Sequence, residues 1–372
     1  MTLDNRGKVL ASICVNHSIS ARKGDIVLVQ SDIYFKPFVE EIKNNVEMCG
    51  ADVRVIYENL AEKRALLERN NPEELYAEAG RLCEIAKECT ASITIDSLSE
   101  PYYLNGINPQ KIADYHSTVI NPLEQILCAE TDKRWNFVVY PSPKEAKFVG
   151  MTFNEYKNFV FGATNIDWKK KRDEMLRVKE IFDDASEICI SSPPYTKLTF
   201  SLSGRGGEVN SGEYNLPDGE VSYGPVEESV NGTVYFRNPT LRDGQIVEGI
   251  KLEFHNGVVA KYSALKNQSF LEAMLNLRGG KMVGEFGIGC NYNLNRHTGL
   301  IIYDEKMGGT FHIALGKSYP QPLDNGGGLN DADFHWDIVC DLRGQSGHLG
   351  GKIYVDGKLV QSEGLWKVPI FK

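Results

Sequence analysis

The stretch "DIVLVQSDIYFKPFVEEIKNNVEMCGADVRVIY" (25–57) divides into three parts by its hydrophobic period. "DIVLVQ" (25–30) is a short apolar run of the length of a buried strand. "FKPFVEEIKNNVEMCG" (35–50) repeats its apolar residues at helical spacing and ends on Gly50, a helix stop. "ADVRVIY" (51–57) returns to strand composition. Two strands joined through a helix run parallel, and a parallel sheet needs helices on both faces. The alternation continues. "PEELYAEAGRLCEIAKECT" (72–90) is helical and "ASITIDSL" (91–98) extended; "NPQKIADYHSTVINPLEQILCAE" (108–130) has helical spacing and "WNFVVYPS" (135–142) reads as a strand. The expectation is an open α/β domain with a parallel sheet over residues 1–165.

A Rossmann-like shape raises the question of a nucleotide. A dinucleotide site needs Gly-x-Gly-x-x-Gly between the first strand and its helix. Here that turn is "QSDIYFKP", without glycine, and the glycines of "GEFGIG" (284–289) have the wrong spacing and context. The first domain is therefore expected to be Rossmann-like without a nucleotide motif.

Beyond it, "DWKKKRDEMLRVKEIFDDASE" (167–187) has the charge and spacing of a helical connector, assigned to 166–194. From 195 to 372 the texture is β-rich. "TKLTFSLSGR", "GTVYFRN", "GIKLEFHNGVVAKYSA" and "GKIYVDGKLV" read as strands and hairpins, with "HNG" and "VDG" as turn chemistry. One helix, "NQSFLEAMLNLRG" (267–279), interrupts them. The fold class expected is an α/β N-terminal domain plus a β-rich (α+β) C-terminal metal-binding domain.

A chain of 372 residues with 42% apolar and 24% charged residues is long enough for two or three cores. Its net charge of −9 argues against nucleic acid as a partner, since phosphate tracking needs clustered Lys and Arg. The one dense basic run, Lys169 to Arg172, is followed by acids and reads as a solvated helix face. No 18-residue apolar span or signal-like N-terminus is seen, so no membrane partner and a cytoplasmic location are expected. The eight cysteines form no Cys-x-x-Cys pair, which excludes a zinc ribbon or thioredoxin-type site and suits a reducing compartment.

Chemistry gathers in the β-rich half. In "DFHWDIVCDL" (333–342), strand alternation puts Phe334, Trp336, Ile338 and Cys340 on one face. His335 and Asp337 share the other, about 7 Å apart at their Cα atoms. Three further segments are built alike. "NLPDGEVSYG" (215–224) delivers Glu220 at a strand start, and "KMVGEFGIG" (281–289) sets Glu285 between glycines. "GTFHIALGKSYP" (309–320) sets His312 opposite an apolar face of Phe311, Ile313 and Leu315. Singly, Glu220 could cap a turn, Glu285 could be a sheet-edge carboxylate, and His312 could be a hydrogen-bonded core histidine. Together they supply three carboxylates and two imidazoles. Buried acids without cations are costly, and a pair of divalent metals offsets that cost; zinc, cobalt or manganese suit this donor set.

These segments, in order with "PVEESVNGTV" and the closing "IYVDGKLV", resemble the thermophilic metallo-aminopeptidase family of aminopeptidase T and aminopeptidase S type. The resemblance implies two metal ions on Glu220, Glu285, His312, His335 and Asp337. It implies an active-site tyrosine at Tyr319, seven residues past His312, and a homodimer. The expected function is hydrolysis of N-terminal residues from peptides with a free N-terminus. Tyr319 would donate to the oxyanion, and one of Glu220 or Glu285 would double as general base. The alternative is a mononuclear iron(II) ring-cleaving dioxygenase on the same scaffold, since two histidines and one carboxylate hold iron(II) with open positions. His17, His116, His255, His297 and His348 lack a partnered carboxylate pattern. Arg205 reads as a surface arginine and Cys290 as packing.

Overall fold

The computed structural model describes residues 3–97, 103–128, 132–242, 244–318, 327–332, 334–344 and 349–370. The chain divides into two compact units. The first holds residues 1–166 and 212–217, and the second holds 167–211 and 218–372.

The first unit is a five-stranded sheet in the order Asp52–Glu58, Ile26–Asp32, Ala91–Ile95, Arg134–Val138 and Asn215–Leu216. Every pairing in it is parallel. Val27, Leu28 and Val29 are all fully buried, which requires cover on both faces of the sheet and explains the unbroken apolar run of the first strand. The helix Lys36–Met48 buries Phe38, Val39, Ile42 and Val46, one stripe of its surface. Asn71 caps the helix Pro72–Glu88 by accepting from the backbone of Glu73 and Glu74. The helical spacing over 108–130 is realised in pieces, Pro109–Tyr115, a π turn His116–Ile120, and Asn121–Leu127. Pro122 has no N–H for the regular ladder, and the register loosens just before it. Helices Asn5–Ile13, Leu60–Arg69, Pro143–Phe148 and Phe153–Thr164 add to those expected.

The second unit begins with the helix Trp168–Phe182. Its strands form an eight-stranded sheet, a two-stranded ribbon and a five-stranded sheet, with antiparallel pairings throughout. The five-stranded sheet runs His335–Asp341, Thr310–Gly316, Val283–Gly289, Glu220–Tyr223, Glu208–Asn210. One face of it packs Val221, Tyr223, Phe286, Ile288, Phe311, Ile313, Trp336 and Ile338 into a core shared with Ile190, Leu198, Phe200 and Leu252 of the larger sheet. Phe286 and Phe200 meet with ring centroids 4.7 Å apart. Each such fully buried side chain stabilises the sheet by about 1.5–3 kcal/mol. No helix among the described residues is long and apolar enough to cross a membrane.

Candidate metal centre

Alternation along four antiparallel strands decides what the other face of this sheet carries. With Val221, Phe286, Phe311, Ile313, Trp336 and Ile338 committed to the core, Glu220, Glu285, His312, His335 and Asp337 stand on the opposite face. The register then sets small residues against them. Glu220 pairs with Gly289, His312 with Gly287, Glu285 and Asp337 both with Ala314, and His335 with Gly316. A Cβ on Gly287 would lie 2.0 Å from Cε1 and 2.1 Å from Nε2 of His312. The glycine is the space in which the imidazole lies.

The polar groups converge. Nε2 of His312 is 3.2 Å from Oε1 of Glu285, 3.5 Å from Oε2 of Glu220 and 3.8 Å from Oδ1 of Asp337. Nε2 of His335 is 3.1 Å from Asp337, and its Nδ1 is 2.7 Å from the carbonyl of Lys317. A carbonyl can only accept, so Nδ1 carries the proton there, and Nε2 is the nitrogen turned to the carboxylates. Donor atoms of Glu220, Glu285 and His312 lie within 4.8 Å of one another, as do those of Glu285, His335 and Asp337. The two groups share Glu285.

Electrostatics match that crowding. Burial opposes charge on His312, but its hydrogen bond with Glu285 and the carboxylates of Glu220 and Asp337 raise its pKa to about 10. Burial likewise opposes charge on His335, and Asp337 outweighs it, raising the pKa to about 9. Burial favours the neutral form of Asp337, yet His335, His312 and Lys306 hold it well below the usual carboxylate range. The donor set fits a hard or borderline cation. Oε2 of Glu220 is a buried carboxylate oxygen with no hydrogen bond among the described residues, and three carboxylates gather around one imidazole nitrogen.

The sequence did not disclose four neighbours of this cluster. Lys306, only 2% exposed, hydrogen-bonds Oε1 of Glu220 and lies 3.0 Å from Glu305 and 3.7 Å from Asp218. Asn210 donates to the same Glu220 oxygen at 3.0 Å. Burial alone would lower the Lys306 pKa, but these three acids hold it well above its ordinary value. Glu305 is pushed up to about 8, first by burial, with Lys306 opposing and Asp337 and Glu220 adding. Nothing in the spacing of "DEK" (304–306) shows that the backbone turns it inward.

Tyr319 and His348 lie outside the described residues. His297 pairs with Asp304 at 2.9 Å, and that carboxylate also accepts from the backbone of Thr298 and Gly299, so the pair holds a turn. Arg205 is largely buried against Glu227 at 2.9 Å, which corrects its reading as a surface residue. Cys290 is buried.

An α/β unit joined to a β unit that carries imidazoles and carboxylates on one sheet face defines a class of fold with solved members. Wild-type AmpT from Thermus thermophilus superposes with a TM-score of 0.81 at 21% identity, covering 98% of this chain and 99% of that one. The 2,5-dihydroxypyridine dioxygenase of Pseudomonas putida KT2440 gives 0.58 at 13% identity, with 99% of each chain covered. The profile of the thermophilic metalloprotease (M29) family matches residues 3–358, and the chain belongs to that family of metallopeptidases. Among curated relatives, aminopeptidase 2 of Geobacillus stearothermophilus is 24% identical over 373 residues, covering 88% of this chain and 90% of the relative. Aminopeptidase T of Thermus aquaticus is 24% identical over 352 residues, covering 85% of each. The resemblance read from the sequence is thereby borne out at the level of family and fold.

Proposed function

We propose that this chain is an aminopeptidase that uses two divalent metal ions held by Glu220, Glu285, His312, His335 and Asp337. The observation that carries the reading is the pair of ligand groups sharing Glu285. Two three-donor sets that share one carboxylate would suit two metals better than one. Charge supports the same count. With Glu305 held neutral by burial, the carboxylates of Glu220, Glu285, Asp337 and Asp218 with Lys306 sum to −4 + 1 = −3, more than one divalent ion offsets. One iron(II) would leave part of that charge uncompensated, which disfavours the dioxygenase reading.

When bound, the ions would acidify a water and polarise the scissile carbonyl. The residues of the chain supply the rest. The Lys317 carbonyl orients the His335 ring, so its Nε2 faces Asp337. One of Glu220 and Glu285 doubles as general base, and the hydroxyl of Tyr319 donates to the developing oxyanion. Zinc, cobalt or manganese suits the donors. Aminopeptidase names among the relatives support a peptide with a free N-terminus as substrate. A cytoplasmic homodimer completes the proposal, and light scattering tests the dimer. The deciding experiment measures metal content together with hydrolysis of aminoacyl anilides and their N-acetylated forms. Two equivalents of metal, chelator-sensitive turnover and no cleavage of acetylated substrate are expected. One iron with oxygen-dependent ring cleavage would sink the proposal.

A further inference from the structure

We propose that Lys306 and Asn210 are a positioning pair that restricts Glu220 to binding metal through a single carboxylate oxygen. The inference rests on the metal reading above and goes beyond its ligand set. A glutamate side chain has a broad last torsion and two equivalent oxygens, so an unrestrained Glu220 could swing, chelate with both oxygens or bridge. Here the two oxygens are made unequal. Oε1 accepts from Nζ of Lys306 and from Nδ2 of Asn210 at 3.0 Å. Oε2 has no hydrogen bond among the described residues and points toward His312, 3.5 Å from Nε2. Two donors on one oxygen fix the plane of the carboxylate, and the other oxygen is presented bare to the cluster.

The backbone is arranged to put both donors there. Asn210 is the register partner of Glu220 on the neighbouring edge strand. On the other side Glu220 pairs with Gly289. A Cβ on Gly289 would lie 2.0 Å from the carbonyl oxygen of Met307, so the segment carrying Lys306 lies directly against that glycine. The Asn291 amide donates to the Lys306 carbonyl at 2.9 Å and anchors the segment further. Lys306 is held in turn by Glu305 at 3.0 Å and Asp218 at 3.7 Å. Burying a lysine at this depth is costly, and apolar side chains would fill the same volume at lower cost. Orientation of a ligand accounts for its presence, as hydrogen-bonded groups behind metal ligands do elsewhere.

The test uses the full chain, stripped with chelator and titrated calorimetrically with zinc, with cobalt absorption spectra alongside. Lys306→Met keeps an unbranched side chain one heavy atom shorter and removes its charge and donors. Asn210→Ala removes the second donor and leaves the lysine, so the proposal stays testable if the lysine variant does not fold. Lys306→Met should weaken one of two metal equivalents by about 10- to 100-fold, leave the other near wild type and alter the cobalt spectrum. Asn210→Ala should weaken the same equivalent by a smaller factor. A lysine that serves only the fold would lower the Tm of the metal-free protein without changing either affinity, and that result overturns the proposal. So does Asn210→Ala with both affinities and the spectrum unchanged. Wild-type protein that binds no divalent ion overturns the metal reading and this inference together. Two tight wild-type equivalents with indifferent variants overturn the inference alone.

Discussion

Gly287→Ala tests the geometry of the site with one added carbon. The new Cβ would lie 2.0 Å from Cε1 and 2.1 Å from Nε2 of His312. Carbon atoms pack at about 3.5–4.0 Å, so the imidazole must retreat by about 1.5 Å or the two strands must part. Gly287 does not have a positive φ, so alanine suits its backbone and gains about 0.4–1 kcal/mol by restricting the unfolded chain. Overpacking a rigid site costs about 1–3 kcal/mol, which leaves a net loss near 1–2 kcal/mol. Metal sites tolerate only about 0.2 Å in ligand distance, so the functional loss should far exceed the structural one. The expected variant folds, with a Tm lower by about 2–8 °C, and loses at least one metal equivalent and about a hundredfold or more in kcat. Calorimetric melting of the chelated protein and metal analysis after dialysis measure the two effects separately. The refinement is a double-mutant cycle. In a His312→Ala background the clash partner is gone, and Gly287→Ala should cost nothing or stabilise slightly, giving a coupling of about 1–3 kcal/mol. Equal costs in both backgrounds, or wild-type metal content in the single variant, would refute the argument that this glycine is room made for the histidine.

Further expectations are distinct from it. His335→Ala should lower metal content and abolish turnover while far-UV circular dichroism stays near wild type; undiminished metal would make the His335–Asp337 pair structural. Tyr319→Phe removes only a hydroxyl, and kcat should fall about a hundredfold with metal content and KM little changed; a near-normal kcat would assign the ring to packing. In the first unit, burial raises the pKa of Asp25, but Arg134 at 2.6 Å, the Arg22 amide and the Thr90 hydroxyl outweigh it and depress the pKa. A depressed carboxylate contributes stability that is present above its ordinary pKa, near 3.9, and is lost as pH falls through the lowered value. Asp25→Asn should therefore cost about 1–3 kcal/mol at pH 7, a difference that shrinks below pH 4 in denaturant titrations; a cost independent of pH would contradict this assignment.

Residues whose place follows from a strict period were legible in the sequence. Trp336, Ile338 and Cys340 must share a face, so the direction of His335 and Asp337 followed at once, and the register only had to bring neighbouring strands alongside. The strand–helix alternation of residues 25–57 was legible for the same reason. Lys306 was not. It follows the one-turn helix Ile301–Asp304 and precedes the strand Thr310–Gly316, where no period governs side-chain direction. Its environment comes from Asp218 and Glu220, distant in sequence, and local composition cannot report such a contact. The π turn His116–Ile120 was missed because helical spacing tolerates one residue of slack while apolar residues stay on the same side.

The short strand Asn215–Leu216 is the last strand of the first unit's sheet and pairs with Phe137 and Val138, although the second unit has already begun by residue 167. During synthesis that sheet cannot be completed until the chain has passed residue 217, after Ile188–Ser192, Thr196–Phe200 and Glu208–Asn210 have been made. A fragment ending at residue 166 would leave Phe137 and Val138 without their strand partners and lengthen the open edge of the Arg134–Val138 strand, a template for aggregation. The two units are therefore not beads that can be cut apart or exchanged as cassettes. Maturation of the first waits on the partial emergence of the second, and a truncation screen should find soluble material only when residues 212–217 are retained.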